Sequence, residues 1–386
     1  MTDHHAHESF DALLVGGGVI GLACAWRAAQ RGLRICLLER DQPGAGASGV
    51  AAGMLAPVGE ASWGEENLLA LNLASHRLWP TFAEELAAAS GREVGFRRIG
   101  ALHVALDRDE VEELRRRHEL QLELGLDSSW LRPRECRRLE PGLAPALAGG
   151  VHAEHEAAAD PRLLSDALAA ALERAGGRIE GGAEVVEAEL SSGGARLRTS
   201  DGRHLSAPRA VLATGSWAGQ AEWLPAEARP PVRPVKGEVL TLRGRPSEPL
   251  CERIVAGERV YVVPRADGRV IVGATVEERG FDTTVTAGGV HELLREAYRA
   301  LPDVAELELV EARAGLRPGT PDNGPIVGPG AADGLIVATG HYRNGILLTP
   351  VTADAVAAML AGEEPPAELA PFAPDRFAAA REAALR

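Results

Sequence analysis

The chain is almost without lysine. Lys236 is the only one, so its 41 basic residues are otherwise arginine, set against 55 acidic residues for a net charge of −14. A surface of that sign argues against nucleic acid and anionic membranes as partners, because phosphate contacts need a basic patch. The arginine bias reads as genome composition or a warm habitat before any mechanism, and it leaves guanidinium groups to meet a small anionic substrate. Cysteine is scarce too. Cys24, Cys36, Cys136 and Cys251 share no metal-like spacing, which favours reduced, buried thiols and the cytoplasm. No metal is expected elsewhere, since His4, His5 and His7 fit a disordered His-rich N-terminus better than a metal site. The first apolar run has no positive region ahead of it and is broken by three glycines, and Ile346 to Leu360 is short for a bilayer span and carries Asp354; neither reads as a targeting or membrane segment. No solenoid repeat is present. With 386 residues and a hydrophobic fraction of 45%, the chain can form two domains, or one large α/β body with an inserted sheet.

What is present starts at Phe10-Asp-Ala-Leu-Leu-Val-Gly-Gly-Gly-Val-Ile-Gly21 and Leu37-Leu-Glu39. This reads as strand, glycine turn, helix and strand. Gly16, Gly18 and Gly21 fit G-x-G-x-x-G: one glycine for the tight turn, one for close approach to a pyrophosphate, one for helix against sheet. The helix starting near Val19 aims free N–H groups and a positive dipole end at phosphate. Glu39, 18 residues after Gly21, stands where a carboxylate can accept both hydroxyls of an adenosine ribose. A dinucleotide site follows; a glycine turn in some other βαβ unit is the plainer alternative.

The small-residue run Pro43 to Met54 can lie against a flat ligand. A long helix is expected over Glu65 to Ser90, kinked or split at Pro80. Arg97 to Leu106 is strand-like, and Asp107 to Gly125 is a charged helix with i,i+4 pairs Glu112–Arg116 and Glu113–Arg117. Asp160-Pro161 starts a helix as N-cap and N1. Short strands follow at Ala183 to Leu190, Ala195 to Ser200 and Ala210 to Ala213. Val232 to Val276 alternates with turn residues and predicts an antiparallel sheet outside the nucleotide fold. Val290 to Ala300 is a helix, Leu335 to Gly340 a buried strand and Ile346 to Leu360 a helix. The order α/β, β, α/β, β, α/β implies two interleaved domains.

Two residues and one turn attract attention for chemistry. Arg317 precedes Pro318, which holds it in extended backbone and suits a bidentate clamp on a carboxylate. Tyr261, on a strand of the second sheet, could offer its hydroxyl to the same group. Taken singly, Arg317 also fits a surface ion pair and Tyr261 half-buried packing. Thr339-Gly-His-Tyr-Arg-Asn-Gly-Ile346 joins the last strand to the last helix, in the region beyond the strand ends where doubly wound folds bind ligands. His341, Arg343 and Asn344 are its polar groups, and His341 alone fits a hydrogen-bonded structural histidine better than a ligand.

From about Phe10 to Leu360 the chain resembles the D-amino-acid-oxidase-like flavoproteins, and within them the glycine-oxidising branch associated with thiamine biosynthesis. The carriers are Val15-Gly-Gly-Gly-Val-Ile-Gly21, Ala51-Ala-Gly-Met-Leu55, Val235-Lys-Gly-Glu238, Gly273-Ala-Thr275, Ala314-Gly-Leu-Arg-Pro318 and Gly340-His-Tyr-Arg-Asn-Gly-Ile-Leu-Leu-Thr-Pro350. The last is long and carries most weight. The resemblance implies an α/β fold: an FAD-binding, Rossmann-like, doubly wound domain (10–90, 150–225 and 313–365) interleaved with an antiparallel-sheet α+β substrate domain (91–149 and 226–312), with tails at 1–9 and 366–386. FAD is expected at Gly16, Gly18, Val19, Ile20, Gly21, Glu39, Arg40, Ala47, Ser48, Ala52, Gly53, Met54, Val185, Gly215 and the turn His341, Tyr342, Arg343, Asn344, Gly345, Ile346 and Leu347. The N-terminus of the last helix would stabilise negative charge on the reduced flavin. No cysteine falls between Arg313 and Pro350, so FAD is expected to be noncovalent. The implied reaction is oxidation of glycine, sarcosine and small D-amino acids to the imine, with O2 reduced to peroxide, the carboxylate held by Arg317 with Tyr261 and Arg343. A dehydrogenase of the same family passing electrons to a quinone is the alternative. A homotetramer is implied by family analogy. Val276 replaces a methionine found in some of these enzymes, so substrate range is not carried over at that position.

Overall fold

In the computed structural model, residues 8–377 are described; His4, His5 and His7 lie outside them. The strand Ala12–Val15 is wholly buried and runs into the helix Val19–Gln30 through the glycine turn. It sits inside a six-stranded sheet ordered Arg178–Gly181, Ile35–Glu39, Ala12–Val15, Arg209–Leu212, Leu335–Thr339, Ile326–Pro329. The first five strands are mutually parallel and the last is antiparallel. Strand order reverses between Ala12–Val15 and Arg209–Leu212, the place where such sheets open a crevice at their carboxyl ends.

Helices Val19–Gln30, Glu66–Ser90, Pro161–Arg174 and Thr349–Leu360 pack on one another over this sheet. Small residues permit the close approach: Ala23, Ala25, Ala28, Ala353, Ala355 and Ala357 are all buried, with Trp26, Trp79 and Phe82 filling the wider gaps. Trp26 and Trp79 each meet Phe82 edge-on at 5.5 Å, a preferred aromatic geometry.

The second body is an eight-stranded sheet ordered Glu308–Gly319, Arg233–Arg243, Arg269–Gly273, Tyr261–Pro264, Ile254–Ala256, Ala101–Ala105, Gly149–Ala153, Ser129–Leu131. It is antiparallel except between Ile254–Ala256 and Ala101–Ala105, where two distant chain segments meet in parallel. Glu308–Gly319 crosses residue 313 and Gly149–Ala153 crosses residue 150, so these strands pass through the positions at which the sequence reading changes domain.

Several local expectations are corrected. The helix Glu66–Ser90 runs through Pro80 without a break; its neighbours Trp79 and Phe82 are buried, and that packing outweighs the hydrogen bond a proline forfeits. Glu112 pairs with Arg108, not Arg116, and Arg116 turns to Glu113; the Glu113–Arg117 contact is long at 3.8 Å. All are exposed or half-buried on the outer face of the helix, where such pairs exchange at little cost. The last helix starts at Thr349, not Ile346. Pro350 lacks an N–H and so belongs in a first helical turn. Residues 366–377, read as tail, are packed: Leu369, Phe372 and Phe377 are buried, and Arg376 donates to the carbonyls of Gly324 and Pro325. Among the described residues, no helix is long and apolar enough to cross a membrane.

Candidate active site

A cavity of about 910 Å³ follows the crevice from the glycine turn to the second sheet, near the top of the roughly 300–1,000 Å³ usual for ligand sites. At one end lie Gly16, Gly18, Val19, Ile20, Glu39, Arg40 and Val185; in the middle Ala47, Ser48, Ala52, Gly53, Met54 and Gly215; at the other Tyr261, Arg317, His341, Tyr342, Arg343, Gly345 and Ile346. Gly21, Asn344 and Leu347 do not line it.

The glycine turn is shaped by close approach. Gly16 has φ +111°, and a Cβ there would stand 2.4 Å from the Ala213 carbonyl oxygen. A Cβ on Gly21 would fall 1.9 Å from the carbonyl oxygen of Gly16, so Gly21 serves helix packing and not ligand contact. Glu39 accepts from Gly17 N at 2.5 Å and Asp41 N at 2.8 Å, which orients the carboxylate at the cavity edge. The N–H of Val19 donates to Ser48 Oγ at 3.1 Å, tying the small-residue run to the helix start.

That run is held from three sides. Gly53, at φ +72°, lies so near Ala159 that a Cβ would come within 1.9 Å of its carbonyl oxygen. From the large sheet the buried guanidinium of Arg265 donates to the Ala52 carbonyl at 2.5 Å. Burial pushes Arg265 down to about 10, with Asp160 opposing.

The turn after Leu335–Thr339 is anchored by its nonlining members. The Leu347 carbonyl accepts from Ser75 Oγ at 2.6 Å and Trp79 Nε1 at 2.9 Å. His341 is buried, meets Thr352 Oγ1 at 3.0 Å through Nε2, and burial pushes it down to about 3; it is a neutral, structural imidazole on the cavity wall. Since the helix begins at Thr349, the turn and not the helix itself faces the cavity. The N–H groups of Tyr342, Asn344 and Leu348 are already taken by the carbonyls of Pro318, His341 and Asn344. Arg343 lies over the Tyr342 ring at 5.3 Å.

Among the described residues, Arg317 has no ion-pair partner. Its Nη1 donates to the carbonyls of Lys236 at 3.3 Å and Thr275 at 3.1 Å, and a Cβ on Gly237 would collide with the guanidinium. The Thr275 segment is fixed in turn: Thr275 Oγ1 accepts from Glu238 N and donates to Glu277 Oε1, both at 2.9 Å. The ammonium of Lys236, with no exposed surface, donates to Glu238 Oε1 at 2.8 Å and lies 3.5 Å from Glu277 Oε1. Burial pushes the Tyr261 hydroxyl up, with Arg317 beside it opposing. Val276 is 65% exposed and is not on the cavity wall.

Sequence reasoning missed Glu60, Thr214, Trp217 and Trp223, all of which line the cavity. Trp217 stacks under Arg40 at 4.8 Å; its place two residues after Gly215 was the one available signal. All four cysteines are buried and none is joined in a disulfide, and among the described residues no group of His, Cys, Asp or Glu could hold a metal ion.

A doubly wound sheet whose dinucleotide crevice runs on beneath a second sheet defines a flavin-dependent oxidoreductase. The residues fit FAD: the glycine cradle, the oriented Glu39 and the buried Thr214 Oγ1, which has no partner among the described residues, lie along one continuous wall. Comparison agrees, with the FAD dependent oxidoreductase (DAO) family model matching residues 11–359. The chain belongs to that family. It is 37% identical over 365 residues to a glycine oxidase of Geobacillus kaustophilus, covering 94% of this chain and 96% of that one. A bifunctional ThiO/ThiG protein of Synechocystis is 35% identical over 95% of this chain, which spans 54% of that longer protein. The crystal structure of glycine oxidase from Geobacillus kaustophilus superposes with a TM-score of 0.89 at 36% identity, covering 96% of this chain and 99% of that one.

Proposed function

We propose that this chain is an FAD-dependent oxidase of glycine, and of sarcosine and small D-amino acids, yielding the imine and then glyoxylate while O2 is reduced to hydrogen peroxide. The observation that carries the reading is Arg317, held by two backbone carbonyls, on the same cavity wall as Tyr261 and Arg343. Arg317 would clamp the substrate carboxylate by charge-assisted hydrogen bonds, with Tyr261 donating its hydroxyl and Arg343 completing the pocket. FAD would lie along Gly16, Gly18 to Ile20, Glu39 and Arg40, Ala47 and Ser48, Ala52 to Met54, Val185, Gly215 and the His341 to Ile346 turn, without a covalent link. When bound it supplies the hydride acceptor. The protein's part is to hold the α-C–H in place and keep charges where the reaction needs them. The similarity to the ThiO/ThiG protein supports a role in supplying dehydroglycine for the thiazole of thiamine. Four buried thiols support a cytoplasmic setting, and family analogy a homotetramer.

The test is peroxide formation in air with glycine, sarcosine, D-alanine, D-proline and L-alanine. With the carboxylate clamped, an L side chain points where the reacting hydrogen must be. Glycine and sarcosine should react, small D-amino acids to varying extent, and L-alanine not at all. Equal turnover of the two alanines would overturn the geometry, and flavin reduction without peroxide would move the assignment to a quinone-linked dehydrogenase.

A further inference from the structure

Among the described residues, Glu60 is the one acidic side chain on the wall at the Arg317 end of the cavity. The other carboxylates lining it stand at the far end: Glu39 ends the strand Ile35–Glu39 and Asp41 follows it, Glu184 follows Ala183, whose N–H donates to the Glu39 carbonyl, and Glu222 adjoins Trp223, which packs with Val15 and Ala183.

The loop that carries Glu60 is built to bring it there. Gly59 N donates to the buried carboxylate of Glu156 at 2.6 Å, and a Cβ on Gly59 would sit 2.1 Å from His103 Nε2. Only glycine lets the backbone lie this close. The next side chain is thereby turned toward the cavity, and Glu60 Oε2, closed to solvent, has no hydrogen-bond partner among the described residues. A buried acceptor left without a donor calls for an explanation.

An amino acid supplies the missing donor. Its carboxylate suits the guanidinium groups, but its ammonium is repelled by them and needs an anion of its own. We propose that Glu60 receives the substrate ammonium, and so makes this pocket select a cationic amine beside the carboxylate and reject a second acidic group on the nitrogen. The proposal rests on assigning the carboxylate to Arg317. The surroundings agree: burial raises the Glu60 carboxyl from its ordinary range, Arg343 opposes the shift, Glu156 adds to it, and His103 and Arg317 oppose it. An arriving ammonium N–H···O contact offsets that burial.

The experiment uses the holoenzyme and Glu60→Gln, which keeps shape and removes charge. Three ligands are compared: glycine by flavin reduction without oxygen, glycolate, which has the carboxylate and no amine, by perturbation of flavin absorbance, and iminodiacetate by competition with glycolate. Glycine affinity should fall about 10- to 100-fold, the worth of a hydrogen bond to a charged group. Glycolate should bind as well as before or better, and iminodiacetate should tighten. Equal weakening of glycine and glycolate would overturn the proposal by showing that Glu60 acts through the arginines; so would no change in any ligand. If Glu60→Gln does not retain flavin, Glu60→Asp, with the charge drawn back by one methylene, should weaken glycine and spare glycolate, and equal loss of both would again overturn it. The clamp itself is tested apart from this: glycolate binding unaffected by Arg317→Ala removes that reading whatever Glu60 does.

Discussion

The guanidinium of Arg317 donates to the carbonyl oxygen of Thr275 at 3.1 Å, so the group assigned to the substrate is preset by backbone before any ligand arrives. Preorganisation of this kind lowers the ordering cost of binding. Arg317→Ala should raise the apparent KM for glycine about 10- to 100-fold, the worth of 1.5–3 kcal/mol for a charged hydrogen bond. Arg317→Lys should recover little of it, since an ammonium lacks the planar fork. Tyr261→Phe should cost less than either. Steady-state kinetics with the three variants checks the order.

Gly21→Ala should give a protein poor in flavin. Its Cβ would lie 1.9 Å from the Gly16 carbonyl oxygen, which must push the helix Val19–Gln30 off the turn. Overpacking of this sort costs about 1–3 kcal/mol, and FAD affinity should drop about tenfold or more. Gly288→Ala, where nothing stands within 4 Å, is the control and should leave the flavin content unchanged.

The flavin should leave with acid. Cys24, Cys36, Cys136 and Cys251 are all buried and none lines the cavity, so precipitation in trichloroacetic acid should carry the whole yellow colour into the supernatant. Colour kept in the pellet would require a covalent link to some other side chain.

Acid should destabilise the chain partly through His341. Folded, the imidazole is held neutral, its pKa pushed down to about 3 from an ordinary 6.5 by burial. The unfolded chain therefore binds the extra proton between those values, and stability falls as pH drops through that window by up to about 1.4 kcal/mol per unit. Above pH 6.5 the group contributes no slope. His341→Asn should flatten the fall of the urea midpoint between pH 6 and 4 relative to the parent chain.

Legibility in the sequence followed distance along the chain. Gly16, Gly18, Gly21 and Glu39 could be read because strand, turn and helix constrain one another within thirty residues, and each glycine has a separate steric reason. Asp160 and Pro161 were legible as N-cap and N1 for the same local cause. The start of the last helix was missed although Pro350 marked it, because Ile346 and Leu347 continue the apolar pattern into a turn. Glu60 could not have been found. Its meaning depends on Gly59 meeting His103 and Glu156 and on Tyr261 and Arg317 arriving from strands some two hundred residues later. Val276 erred in the opposite direction: a position that looks informative in the motif faces solvent.

Lys236 carries a consequence of another kind. It is the sole source of an ε-amine in the chain, and the folded sheet closes it off completely beneath Glu238 and Glu277. An acylating reagent aimed at lysine finds nothing there until Arg233–Arg243 parts from its neighbours. The extent of ε-acylation with time, read by mass spectrometry on the peptide around Lys236, then counts opening events of that one strand in a background free of other lysines, and it does so without an introduced probe.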